Sequence, residues 1–246
     1  MSPCDLLAIS PHPDDVELWC SGAVILAADQ GRSVVVLDLS RGERSSRGSP
    51  AQRAAERERS SALMGLRERL CLELPDCEIG RDPAHRDAVI AAIRGLRPAI
   101  VLAPHWLDRH PDHAATGRLV QEACFFAGVG ALGEGAAHRP QQVFFYMAHQ
   151  PFSPSLVLDV SAVWERRMAA VHAYRSQFGP AEAGPETALS QPGFLRYLEA
   201  RAVMLGAMIG VAYGEGFLAP GPVPCSRLPE LDRGSAVFDG QWYRPF

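Results

Sequence analysis

Leu6-Leu-Ala-Ile-Ser-Pro-His-Pro-Asp-Asp-Val-Glu17 sets the terms for the rest of the chain. Leu6–Ser10 is apolar without alternation, as a strand buried on both faces of a parallel sheet must be. Pro13 then suits a first helical turn, and Asp14 and Asp15 complement the positive end of a helix dipole. Outward from this unit the order repeats. Strand-like runs occupy Ser33–Leu39, Arg69–Leu72, Ala99–Ala103, Val143–Tyr146 and Ser155–Val160. Helical periodicity marks Val16–Asp29, Ala51–Gly65, Ala84–Gly95, Pro111–Ala127, Ala162–Tyr174 and Phe194–Ala212. Ala127–Gly135 and Gly179–Gly193 carry loop composition. Strand followed by helix, repeated, predicts α/β architecture: a single Rossmann-like three-layer α/β/α domain over residues 1–246, with a mainly parallel sheet. Residues 220–246 read as a loop-like C-terminal tail.

Composition narrows the function classes. The chain has 246 residues, 47% of them hydrophobic and 21% charged, with a net charge of −4. That length buries a core large enough to fold without disulfides or a structural metal. All 24 basic residues are arginine, which excludes Schiff-base and P-loop lysine chemistry. Mild acidity argues against a nucleic-acid partner. The six scattered cysteines, without Cys-x-x-Cys spacing, read as reduced thiols. Met1–Asp5 lacks a basic n-region, and the longest run free of charged and strongly polar residues, Ala202–Gly214, falls short of the roughly 20 residues of a membrane span. A cytoplasmic protein without membrane contact is the expectation.

Three motifs invite chemistry. Gly128-Val-Gly-Ala-Leu-Gly133 matches the dinucleotide pattern, but it trails a helix instead of joining strand to helix, so it is set aside. Ser10-Pro-His-Pro-Asp-Asp-Val-Glu17 places His12, Asp14 and Asp15 just past a strand end, where open α/β sheets build their sites. N-capping would explain an acid there, but not a histidine and two adjacent acids between prolines. Pro104-His-Trp-Leu-Asp-Arg-His-Pro-Asp-His113 repeats the arrangement after another strand, with His105, Asp108, His110, Asp112 and His113. Two such turns on one sheet edge can converge on a single ion. Imidazole and carboxylate donors without thiolate suit a catalytic zinc with an open position.

At these residues the sequence resembles the zinc-dependent de-N-acetylases of the PIG-L/LmbE-like family. The resemblance rests on His12-Pro-Asp-Asp-Val-Glu17, Leu39-Ser-Arg-Gly-Glu43, Arg53 with Glu56, His110-Pro-Asp-His113, Asp159-Val-Ser161, Arg175-Ser-Gln177 and Gly210-Val-Ala-Tyr-Gly-Glu215. It is most similar to the branch deacetylating GlcNAc-malate in bacillithiol biosynthesis; chitobiose, GlcNAc-inositol and thiol-conjugate substrates are the alternatives, and a metal-dependent phosphoesterase a more distant one. The resemblance implies one Zn2+ per chain held by His12, Asp15 and His113. It implies Asp14 as general base, His110 as acid or oxyanion partner, Asp112 as the group orienting His110, and Tyr213 near the pocket. Arg53, Asp108 and Arg109 are expected at the substrate, with Arg44 and Arg47 on the neighbouring loop. A malate-like aglycone would suit guanidinium groups at the rim. The family also implies a homo-oligomer, a trimer or hexamer, for which Phe238, Trp242 and Phe246 are interface candidates.

Overall fold

The computed structural model describes residues 2–178 and 185–223. Strand β1 (Leu6–Ser10) leads into helices α1 (Asp15–Trp19) and α2 (Ser21–Asp29). Then β2 (Val34–Asp38), α3 (Pro50–Met64), β3 (Glu68–Cys71), α4 (Pro83–Leu96), β4 (Ile100–Pro104), α5 (Pro111–Ala127) and β5 (Gln142–Tyr146) alternate. The chain continues through β6 (Leu156–Asp159), a 3-10 turn, α6 (Trp164–His172), α7 (Arg175–Phe178), α8 (Pro192–Ile209) and β7 (Gly214–Leu218). Start signals are local. Ser49 and Gln52 form a capping box at α3, with Pro50 in its first turn, while Asp82 caps α4 ahead of Pro83.

Among the described residues the strands form one seven-stranded sheet in the order β3-β2-β1-β4-β5-β7-β6. The first five strands in that order pair in parallel, and β7 runs antiparallel to both β5 and β6. The α/β expectation holds, with a mainly parallel sheet. Side-chain alternation sends Leu6, Ala8, Val34, Val36 and Leu102 into a core shared with α1, α2, α6 and α8. Leu7, Ile9, Val35, Leu37 and Val101 enter a second core against α4 and α5. Both faces are therefore covered, which is why β1 and β2 are apolar throughout.

Connections from β1 run outward to β2 and β3, whereas β4 and β5 lie on the other side of β1. The reversal falls between β1 and β4, and open α/β sheets bind ligands beside such a reversal, at the strands' carboxyl ends. The turn holding His12 and the turn holding His110 both leave the sheet there.

Three elements differ from expectation. The single helix expected over Val16–Asp29 breaks at Cys20 (φ −148°, ψ 15°). Glu215 of β7 supports the break, because its carboxylate accepts the Gly22 and Ala23 N–H groups, each at 2.8 Å. The helix expected to reach Ala212 stops at Ile209, where Gly210 adopts φ 78° as a left-handed cap. Strand β7 is an addition to the expected elements, because its two glycines carry no strand signal. Gly214 is required there by close approach: a Cβ would lie 2.8 Å from the Gly206 nitrogen. Among the described residues no helix is long and apolar enough to cross a membrane. Phe238, Trp242, Phe246 and the tail beyond Val223 lie outside the described residues.

Candidate metal centre and active site

The turn after β1 is shaped around two aspartates with different duties. Asp14 occupies the N-cap position of α1, yet its side chain makes no capping hydrogen bond. Its backbone sits at φ 113°, a region that L-residues other than glycine rarely adopt. Asp15 turns the other way, and its two oxygens meet two imidazoles. Oδ2 lies 3.1 Å from His12 Nδ1, and Oδ1 lies 3.1 Å from His113 Nε2. Burial disfavours the Asp15 anion, but the His113 and His12 rings reverse that and hold its pKa well below the usual carboxylate range.

His12, Asp15 and His113 each offer a ligand atom, all within 4.8 Å of one another. Two imidazole nitrogens and a carboxylate, without thiolate, fit a catalytic zinc that leaves a position open. The surroundings add to the fit. His12 Nε2 lies 3.1 Å from Asp112 Oδ2 and 3.2 Å from Asp76 Oδ1. The buried His113 Nδ1 has no hydrogen-bond partner and faces Asp108 Oδ1 at 3.7 Å. Carboxylates behind the ligand histidines are the usual way to fix ring orientation and raise basicity. Asp14, Asp15, Asp76, Asp108 and Asp112 crowd one region, and so dense a set of acids suits a divalent cation.

These groups line a pocket of about 220 Å³ whose wall includes Asp14, His110, His149, Arg44, Arg53 and Gln177. Burial pushes the Asp14 carboxyl well above its ordinary range; Arg53, whose Nη2 is 3.6 Å from Asp14 Oδ2, opposes the shift and Asp15 adds to it. His110 caps α5 through Nδ1, which accepts the Asp112 N–H at 3.3 Å. Its Nε2 is then the ring atom carrying hydrogen in the neutral form. Burial and the neighbouring His113 and His12 rings lower the His110 pKa, which favours that neutral form.

Several sequence expectations meet a different geometry. The Asp112 carboxylate bonds His12 Nε2 and the Cys77 N–H (3.0 Å), so it orients the expected metal ligand, and its link to His110 is through backbone only. Asp108 is not part of the pocket wall. Its side chain is 1% exposed and accepts the N–H groups of His110, His149 and Gln150 at 2.8, 2.8 and 3.1 Å. Arg109 is exposed and is not part of the pocket wall. Arg47 is buried and bonds the Ser176 and Pro185 carbonyls. Tyr213 is not brought to the cluster: its ring stacks on Trp164 at 4.0 Å and its hydroxyl donates to Glu199. Arg53 does reach the pocket, but its Nη atoms donate to the Gly42 and Pro13 carbonyls. Sequence reasoning misses Asp76, Cys77 and His149, since each is an isolated residue in a loop without a motif.

Residues 7–124 match the model of the PIG-L family, described as GlcNAc-PI de-N-acetylase. The diacetylchitobiose deacetylase of Thermococcus kodakarensis is 33% identical over 229 residues, covering 86% of this chain and 81% of that protein. The chain belongs to the PIG-L family. Among solved structures, the conserved protein TT1542 of Thermus thermophilus superposes with a TM-score of 0.83 and 39% identity, over 92% of this chain and 98% of that one. A further relative is a 4-oxalmesaconate hydratase of Pseudomonas putida, 28% identical over 70% of this chain and 73% of the hydratase.

Proposed function

We propose that this protein is a zinc-dependent hydrolase that removes the N-acetyl group from a small GlcNAc-containing molecule. The observation that carries the reading is the pairing of a compact His12, Asp15 and His113 donor set with an adjacent carboxylate, Asp14, that is not one of the donors. When bound, the ion supplies Lewis acidity for the amide carbonyl and makes water acidic enough to attack near neutral pH. Asp14, with its raised pKa, takes the proton from the attacking water and delivers it to the departing amine. His110 donates from Nε2 to the carbonyl oxygen as negative charge develops there. Asp112 and Asp76 hold the His12 ring, and Asp108 sets the backbone positions of His110 and His149. The similarity to the diacetylchitobiose deacetylase supports an amino-sugar substrate.

For the aglycone we propose GlcNAc-malate. With Arg109 outside the pocket wall and Arg53 bonded to backbone, the anionic group would fall to Arg44, which lines the pocket and pairs with Glu78 at 2.9 Å. Arg44→Ala should then lower kcat/KM about tenfold on GlcNAc-malate and little on diacetylchitobiose, the scale of one charged hydrogen bond. Equal losses on both would remove the anionic aglycone. Hydration of an unsaturated acid is the second reading, favoured by the P. putida relative. A panel of diacetylchitobiose, GlcNAc-malate, GlcNAc-inositol and an unsaturated dicarboxylate, with and without chelator, separates them. Chelator-sensitive amine release supports deacetylation, and water addition without amine release supports the hydratase.

A further inference from the structure

The loop after β5 brings a fourth histidine into the pocket. The Asp108 carboxylate that accepts the His110 N–H through Oδ1 accepts the His149 and Gln150 N–H groups through Oδ2. One buried side chain thus fixes the backbone of His110 and His149 together. The His149 ring is held from two sides. Trp19 meets it edge-on with centroids 5.0 Å apart, and His113 stacks on it at 5.1 Å with a 29° interplanar angle.

Its nitrogens are unspent. His12 uses both ring nitrogens on carboxylates, His113 uses Nε2 on Asp15, and His110 uses Nδ1 as a helix cap. Among the described residues no hydrogen bond reaches either nitrogen of His149, although the ring lines the pocket. An imidazole fixed by packing, with one donor and one acceptor hydrogen-bonded to no protein group among the described residues, is built to meet something that enters. A sugar presents hydroxyl and amide groups that both donate and accept, so it can satisfy both nitrogens at once.

We propose that His149 is a substrate-contacting residue that hydrogen-bonds polar groups of the bound N-acetyl sugar on the His113 side of the pocket. This rests on the deacetylase reading above. Two other roles are open to such a ring, and each gives a distinct result. It could pack only, or it could ligate metal, since Asp108, His113 and His149 donors also lie within 4.8 Å of one another.

His149→Phe keeps the aromatic contacts and removes both nitrogens, while His149→Asn restores a donor and an acceptor. The assay is amine release from diacetylchitobiose by zinc-loaded full-length protein, with metal per chain and melting temperature measured on each variant. His149→Phe should keep wild-type metal content and melting temperature, raise KM about tenfold and leave kcat within a few-fold. His149→Asn should recover part of the KM loss. Wild-type KM in His149→Phe would mean packing only and overturn the inference. Loss of metal in His149→Phe would make His149 a ligand and overturn it too. A wild-type protein that releases no amine from any sugar in the panel would overturn the deacetylase reading and this inference together.

Discussion

Asp14 and Asp15 are adjacent in sequence, yet they divide the chemistry because the backbone turns between them. Asp15 is saturated by two imidazoles, whereas Asp14 sits in a left-handed conformation with no capping bond. Asp14→Asn should keep metal and fold and lose about 10²–10⁴-fold in kcat, as expected for a general base. Near-normal turnover with bound metal would place the base elsewhere. Asp112→Asn should act differently. Because its carboxylate holds His12 and not His110, the variant should bind zinc about 10–100-fold more weakly in a competitive chelator titration. Unchanged zinc affinity would return Asp112 to the role of orienting His110. The residues legible in the sequence, His12, Asp14, Asp15, His110 and His113, all lie in two short turns, where spacing alone carries information. Asp76 and His149 reach the same cluster through sheet order, which single residues in loops cannot announce. Arg109 shows the opposite error: a neighbour of the motif in sequence is an exposed side chain in space.

At the scale of elements, β7 does more than join β5 to β6. Glu215 receives two N–H groups from the start of α2 and the Arg167 Nε at 2.8 Å, and Arg167 also donates to the Leu18 carbonyl. β7 thus anchors α1 and α2, which follow directly from the Asp14–Asp15 turn. Glu215→Ala should destabilise the fold by about 3–5 kcal/mol in urea unfolding, because it strands a buried guanidinium as well as uncapping a helix. A loss under about 1 kcal/mol, the range of a solvent-exposed pair, would show that solvent reaches Arg167 and that the anchor is weak. The strands β1, β2 and β4 are readable from uninterrupted apolar runs. The break at Cys20 is not, because apolar residues continue across it and the capping carboxylate lies far away in sequence.

For the whole molecule, the decisive fact is the reversal of strand order between β1 and β4. It brings the turn holding His12 and the first turn of α5, which holds His113, beside one another at the sheet edge, with a hydrophobic core packed on each face of the sheet. A chain of this size buries enough apolar surface to fold alone. Chelated protein should therefore keep its far-UV circular dichroism and unfold cooperatively, while activity disappears. Loss of secondary structure on chelation would make the metal structural instead of catalytic.

The most direct test follows acetate and free amine together, with zinc-loaded wild-type protein and diacetylchitobiose as substrate. The predicted result is equal release of both products, abolished by chelator and restored by about one equivalent of zinc per chain, the single open-position site argued above. Absence of acetate from this and every other N-acetyl sugar, with water added instead to an unsaturated dicarboxylate, would contradict it.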